Sequence, residues 1–135
     1  MSEEIRRIVE GYGQTWDVDA PQGLIDELFA ADVVDHNPQP GQASGIEGVK
    51  SVIAVYQAAF PDIHLSNDDI IISGDRAALR WSATGTHEGD QLGVPATHKT
   101  IQFTGIDILR IENARIVERW GEANSLEVMQ QIQAI

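Results

Sequence analysis

At 135 residues, with no cysteine and a formal net charge of −12, the chain is sized for one domain without a disulfide framework or thiol chemistry. That acidity argues against a nucleic-acid or anionic-membrane surface, and no apolar run approaches the ~20 residues of a membrane span. A hydrophobic fraction of 42% and a charged fraction of 22% suit a soluble globular protein, and the charged, amphipathic opening MSEEIRRIVE is no signal peptide, so a cytoplasmic location is expected.

Ser2 is placed to cap a first helix, with Glu3 and Glu4 in its first turn. Ile5, Ile8, Val9, Tyr12 and Trp16 recur at helical spacing and make one buried stripe. Asp19-Ala20-Pro21 restarts a short second helix, whose inner face is Leu24, Ile25, Leu28 and Phe29. Asp32 to His36 reads as a strand stopped by Asn37-Pro38, and Gln39 to Gly45 as a loop rich in Gly, Pro and Ser. A third helix runs from about Ile46 to Phe60 on the stripe Ile46, Val49, Ile53, Tyr56 and Phe60, and Pro61 ends it.

Beyond Pro61 the apolar period falls to two. Ile63 to Ser73 is a strand, Gly74-Asp75 a turn, and Arg76 to His87 the next strand. After a loop from Glu88 to Ala96, Thr100 to Asn124 reads as two long strands joined by a tight turn at Asn113-Ala114, and Ser125 to Ile132 as a last helix. Helices followed by antiparallel strands predict an α+β fold with helices on one face of a curved sheet. Ile106 and Ile108 give the other face apolar character, which predicts a homodimer through it.

Strand parity sorts the longest hairpin. Asp107 shares a face with Ile101, Phe103, Leu109 and Ile111, opposite Gln102, Thr104, Ile106, Ile108 and Arg110. On the following strand Ile116, Glu118, Trp120 and Glu122 alternate with Val117, Arg119 and Gly121. A carboxylate on an apolar face is either paired in the core, with Arg80 as the natural partner, or working in a pocket. Asp35, His36 and Asn37 stand at a strand end, where pocket residues and simple turns both occur. Trp16 ends its stripe where a pocket mouth would lie, whereas Trp81 and Trp120 read as core. There is no HExxH, no His pair at ligand spacing, no glycine-rich phosphate loop and no nucleophile elbow, so neither metal nor cofactor is expected.

Asp35-His36-Asn37-Pro38, Phe60-Pro61-Asp62, Arg80-Trp81, Thr84-Gly85-Thr86-His87, Gly105-Ile106-Asp107 and Glu118-Arg119-Trp120 together resemble the SnoaL-like polyketide cyclases, over nearly the whole chain. These belong to the group with the nuclear transport factor 2 fold. The resemblance implies a cone of curved antiparallel sheet around helices, an apolar pocket inside, and a homodimer. It also implies intramolecular aldol ring closure, without metal or organic cofactor, by an acidic side chain that removes a proton from carbon. The family's catalytic aspartate directly follows the last-strand tryptophan, and here that position is Gly121. A histidine often precedes that tryptophan, here Arg119, and Asn124 stands where many relatives carry another acid.

The expected ligand is therefore an apolar, oxygenated small molecule. Asp107 or Asp35 is the expected base, with His36, His87 and Arg80 or Arg119 polarising a carbonyl or enolate. Tyr12, Trp16, Phe103 and Asn124 complete the expected substrate contacts. Two rival readings stand beside this one. The first is an isomerase or an epoxide hydrolase using Asp35, Arg80 and Asp107. The second is a binding protein without catalysis, which Gly121 favours.

Overall fold

The computed structural model describes residues 2–133. Its elements run α1 (Ser2–Gln14), α2 (Leu24–Leu28), β1 (Phe29–Asp35), α3 (Gly45–Ala59), β2 (His64–Ser73), β3 (Arg76–Thr86), β4 (Thr100–Glu112), β5 (Arg115–Ala123) and α4 (Ser125–Gln131). The α+β order expected from the period change is the one observed. The side-chain cap expected at Ser2 lies outside the described side chains.

The stripe Ile5, Ile8, Val9 and Tyr12 is buried, and α1 lies against β2. The helix stops at Gln14, so Trp16 sits in the turn beyond it, where the Thr15 hydroxyl donates to the Tyr12 carbonyl at 2.6 Å. The second helix does not begin at Asp19 but at Leu24, directly after Gly23, whose φ of 84° no helical residue can adopt. Phe29, expected on that helix, instead opens β1 and is buried there.

The sheet has five strands in the order β1-β5-β4-β3-β2. Neighbours from β2 to β5 are antiparallel, but β1 runs parallel to β5, so the sheet is not antiparallel throughout. No hairpin could make that pairing, because β1 and β5 are separated by α3 and three other strands. On β4 the alternation is regular: Ile101, Phe103, Asp107, Leu109 and Ile111 are buried, and Gln102, Thr104, Ile106 and Ile108 are exposed. The helices cover the inner face, and Ala77, Leu79, Trp81 and Ala83 of β3 meet them there.

One irregularity changes the parity of β5. Ile111 pairs with Ile116 but Arg110 pairs with Glu118, so Val117 is an extra residue in a bulge. Ile116 therefore shares the inner face with Arg119 and Gly121, and not with Glu118, Trp120 and Glu122 as simple alternation requires. On the outer face Ile71, Ala78, Ile108 and Trp120 are successive register partners and form a row across four strands. Among the described residues, no helix is long and apolar enough to cross a membrane.

Candidate functional site

A cavity opens between α1, α3 and the inner sheet face. Its walls are Trp16, Val49, Ile53, Tyr56, Leu65, Trp81 and Phe103. Their rings interlock: Trp16 meets Tyr56 edge-on at 5.8 Å, and Trp81 meets Phe103 at 5.8 Å and 86°. The cavity volume is about 70 Å³, room for a handful of waters at roughly 10–15 Å³ each. A ring-sized ligand must therefore push aside side chains at the mouth, where Asn37, Gln39 and Gln42 project from the loop after β1.

The end next to Asn37 and Gln42 is polar and charged. Arg119 on β5 donates from Nη1 to Asp35 Oδ1 at 2.9 Å and from Nε to the Tyr12 hydroxyl at 3.0 Å. The same Nε lies 3.5 Å from Asp107 Oδ2. Tyr12 in turn donates to Asp107 Oδ2 at 2.5 Å, and the Trp81 indole donates to Oδ1 at 3.3 Å. Asp35 also accepts from the Asn37 backbone at 3.0 Å and from Gln42 Nε2 at 3.1 Å. Two carboxylates thus share one guanidinium, and the cluster carries one more formal negative charge than positive.

Burial sets the protonation of the two donors. Desolvation, and then the Asp107 charge, push the Tyr12 hydroxyl far above its ordinary value, so it stays protonated and donates. Burial works against the charge on Arg119, but Tyr12, Asp107 and Asp35 together hold its pKa above the usual guanidinium value. Tyr56, on the opposite wall, is raised by burial and drawn back in part by Arg119.

The structure brings together Tyr12, Trp16, Asp35, Phe103, Asp107 and Arg119 from the sequence candidates. Four others stand elsewhere. Arg80 cannot be the partner of Asp107: residue 107 faces Leu79 across the ladder, so Arg80 points outward, half-exposed, 3.8 Å from Asp68. His36, the residue after β1, faces away from the cavity. It stacks on Trp120 at 4.6 Å and 6°, with Nε2 2.7 Å from Glu118. His87 is fully buried beside Phe60, and its Nδ1 accepts from the Thr97 backbone at 3.2 Å, so it anchors the loop after β3 instead of lining the cavity. Asn124 caps α4, its side chain accepting from Glu127 N at 3.1 Å.

Several cavity residues had no place among the candidates, Tyr56, Gln39 and Gln42 among them. Tyr56 was legible only as core, because a buried helix stripe and a cavity wall have the same period. Gln42 and Gln39 lie in an irregular loop that carries no periodic signal at all. Asn37 does reach the site, where its Oδ1 accepts from Gly121 N at 2.9 Å.

Comparison with known proteins gives a consistent result. The family described as SnoaL-like polyketide cyclase matches residues 6–132. The chain is 25% identical over 113 residues to aklanonic acid methyl ester cyclase DauD of Streptomyces sp. (strain C5), spanning 83% of this chain and 68% of that one. Its fold is similar to that of TsrD from Streptomyces laurentii, with a TM-score of 0.90 and 25% identity over 100% of this chain and 98% of that one. IdmH from Streptomyces antibioticus is also similar, with a TM-score of 0.83 and 29% identity over 95% and 97%.

Proposed function

The chain belongs to the SnoaL-like polyketide cyclase family, and from that membership we propose that it closes a ring in an apolar, oxygenated small molecule by intramolecular aldol-type condensation, using only its own acid and base groups. The observation that carries this reading is the pair of carboxylates sharing Arg119 at the end of an aromatic-walled cavity. In the proposed reaction, Asp107 takes a proton from the carbon next to a carbonyl. The electron pair left behind forms the new C–C bond at a second carbonyl of the same molecule. The resulting alkoxide takes the proton back, so nothing is gained or lost overall.

Arg119 supplies the donors for the developing oxyanion. Among the described residues Arg119 Nη2 makes no hydrogen bond, which leaves its N–H groups for a ligand oxygen. Asp35 holds the guanidinium in place. The test is hydrogen–deuterium exchange next to the carbonyl of cyclohexanone, followed by NMR in heavy water. The wild type should accelerate exchange over buffer. Asp107→Asn should lose about 10²–10⁴-fold, the usual worth of a positioned general base, while His36→Ala should retain the rate. Exchange no faster than buffer would sink the enolate chemistry.

A second reading keeps the same residues. Asp35, Arg119 and Asp107 could activate a water and protonate an epoxide oxygen, giving a diol, in the cavity that Asn37 also lines. The shared guanidinium favours this reading, because it ties one prospective base to one prospective acid. Conversion of cyclohexene oxide to a diol carrying label from heavy-oxygen water would select it. Binding of both probes with turnover of neither would select a ligand-binding protein.

A further inference from the structure

We propose that Trp81 is a positioning residue for Asp107: its indole lies over Gly105 and sets the carboxylate so that Oδ1, and not Oδ2, takes the substrate proton. The part in proton transfer rests on the acid/base reading above, and the placement of the carboxylate stands without it.

The two oxygens of Asp107 are held unequally. Oδ2 accepts from the Tyr12 hydroxyl at 2.5 Å and lies 3.5 Å from Arg119 Nε. Among the described residues, Oδ1 accepts from the Trp81 indole alone, at 3.3 Å. A short bond from a buried hydroxyl draws on the electron density of its acceptor, whereas an N–H at 3.3 Å lies at the weak end of the range. Oδ1 therefore keeps the lone pair with which a carboxylate takes a proton from carbon. The indole still fixes its direction. With Tyr12 alone, the carboxylate plane would be free to swing about one bond. With a donor on each oxygen, a swing loses both bonds and leaves the indole N–H buried without an acceptor.

What lets the indole reach that far is the residue beneath it. Trp81 and Gly105 are direct partners across the β3–β4 ladder. Gly105 is not among the glycines with positive φ, so its backbone does not demand glycine. A Cβ there would stand 2.6 Å from Trp81 Cε2, with Cζ2 nearer still, and 2.7 Å from the Glu122 carbonyl oxygen. Cε2 is the ring atom bonded to Nε1, so a side chain at 105 would strike the indole beside its N–H. Phe103 meets the same indole edge-on at 5.8 Å and 86°. Phe103, Gly105 and Asp107 are successive inward positions of β4. The indole packs on the first, lies over the second and donates to the third.

The test uses Asp107→Ala, Trp81→Phe, and a chain with benzothienylalanine at position 81, which keeps both rings and carries sulfur in place of the N–H. NMR of the indole N–H groups reads the placement. In Asp107→Ala the Trp81 indole proton, identified by its loss from Trp81→Phe, should move upfield, while those of Trp16 and Trp120 hold. A Trp81 proton that stays in place overturns the contact and the proposal with it. Exchange of the cyclohexanone protons reads the part in proton transfer. The benzothienylalanine chain should lose about 10–10²-fold in kcat at unchanged KM, the scale for a reacting group displaced by up to ~1 Å. Trp81→Phe should show the same loss in kcat, so the reading stands on a second variant if the first fails to fold. A full rate, or a loss confined to KM, would make Trp81 a cavity wall only and overturns the positioning role. A wild type that fails to accelerate exchange removes the acid/base reading and with it the part in proton transfer, while the NMR arm still decides the placement.

Discussion

Arg119 is the cation that buried Asp107 and partly buried Asp35 have in common, and this makes it costly to remove. Arg119→Met would leave Asp107 at 2% exposure without its cation and cut one tie of Asp35. The expected loss is about 3–5 kcal/mol in urea unfolding, the scale for orphaning a buried charge. A loss below ~1 kcal/mol would show that the carboxylates do not need it. Asp35→Asn should cost less, since the Asn37 backbone and Gln42 still meet the side chain. Alternation alone placed Asp107 inward, because a β-strand with one buried face has no freedom about which residues point into it. The partner of Asp107 was not legible. Spacing along β3 puts Arg80 on one face of that strand, but only the pairing with β4 says that Leu79, and not Arg80, stands beside residue 107.

The β4–β5 hairpin turns on Asn113 and Ala114, with φ of 52° and 61°. Asn tolerates this left-handed region and Ala does not, so Ala114→Gly should stabilise the protein by about 1 kcal/mol in thermal unfolding. A drop in Tm would show that the turn is not strained. A second element-level device joins the end of β3 to the segment after α3. Asp62 accepts from the Thr86 backbone at 2.6 Å and from its hydroxyl at 2.8 Å. The backbone bond from Thr86 holds the Asp62 pKa below its ordinary 3.8. A lowered carboxylate pKa stabilises the fold above the unfolded value, and that contribution is lost as pH falls through the folded one. Wild type should therefore exceed Asp62→Asn in Tm at neutral pH, with the gap closing on acidification below 3.8. A gap that widens in acid would reverse the assignment. The turn and both strands were legible from their residues. The bulge at Val117 was not, because an inserted residue leaves no mark in a pattern of two until the partner strand is known.

At the scale of the whole molecule, the outer row Ile71, Ala78, Ile108 and Trp120 is expected to join two copies. Ile71 is 63% exposed and Ile108 39%, an arrangement uncommon on a face that meets only water. Light scattering at micromolar concentration should give twice the chain mass, and Ile108→Asp should halve it. A wild-type monomer would refute the pairing. The sheet order also governs when the site can exist. β5 is made after the other four strands of the sheet, yet it lies between β1 and β4. The bond from Arg119 to Asp35 spans 84 residues, and the one to Tyr12 spans 107. During synthesis, α1 and the first four strands are complete before the Arg119 guanidinium is available to Asp35 and Asp107. Such distant closures make for slow folding. Until the final strand slides into its gap, the nascent chain carries an open seam with two uncompensated acids on its rim. A ribosome that stops before Arg119 releases a split sheet, so a truncated product should be cleared as misfolded protein and not persist in a weakened form.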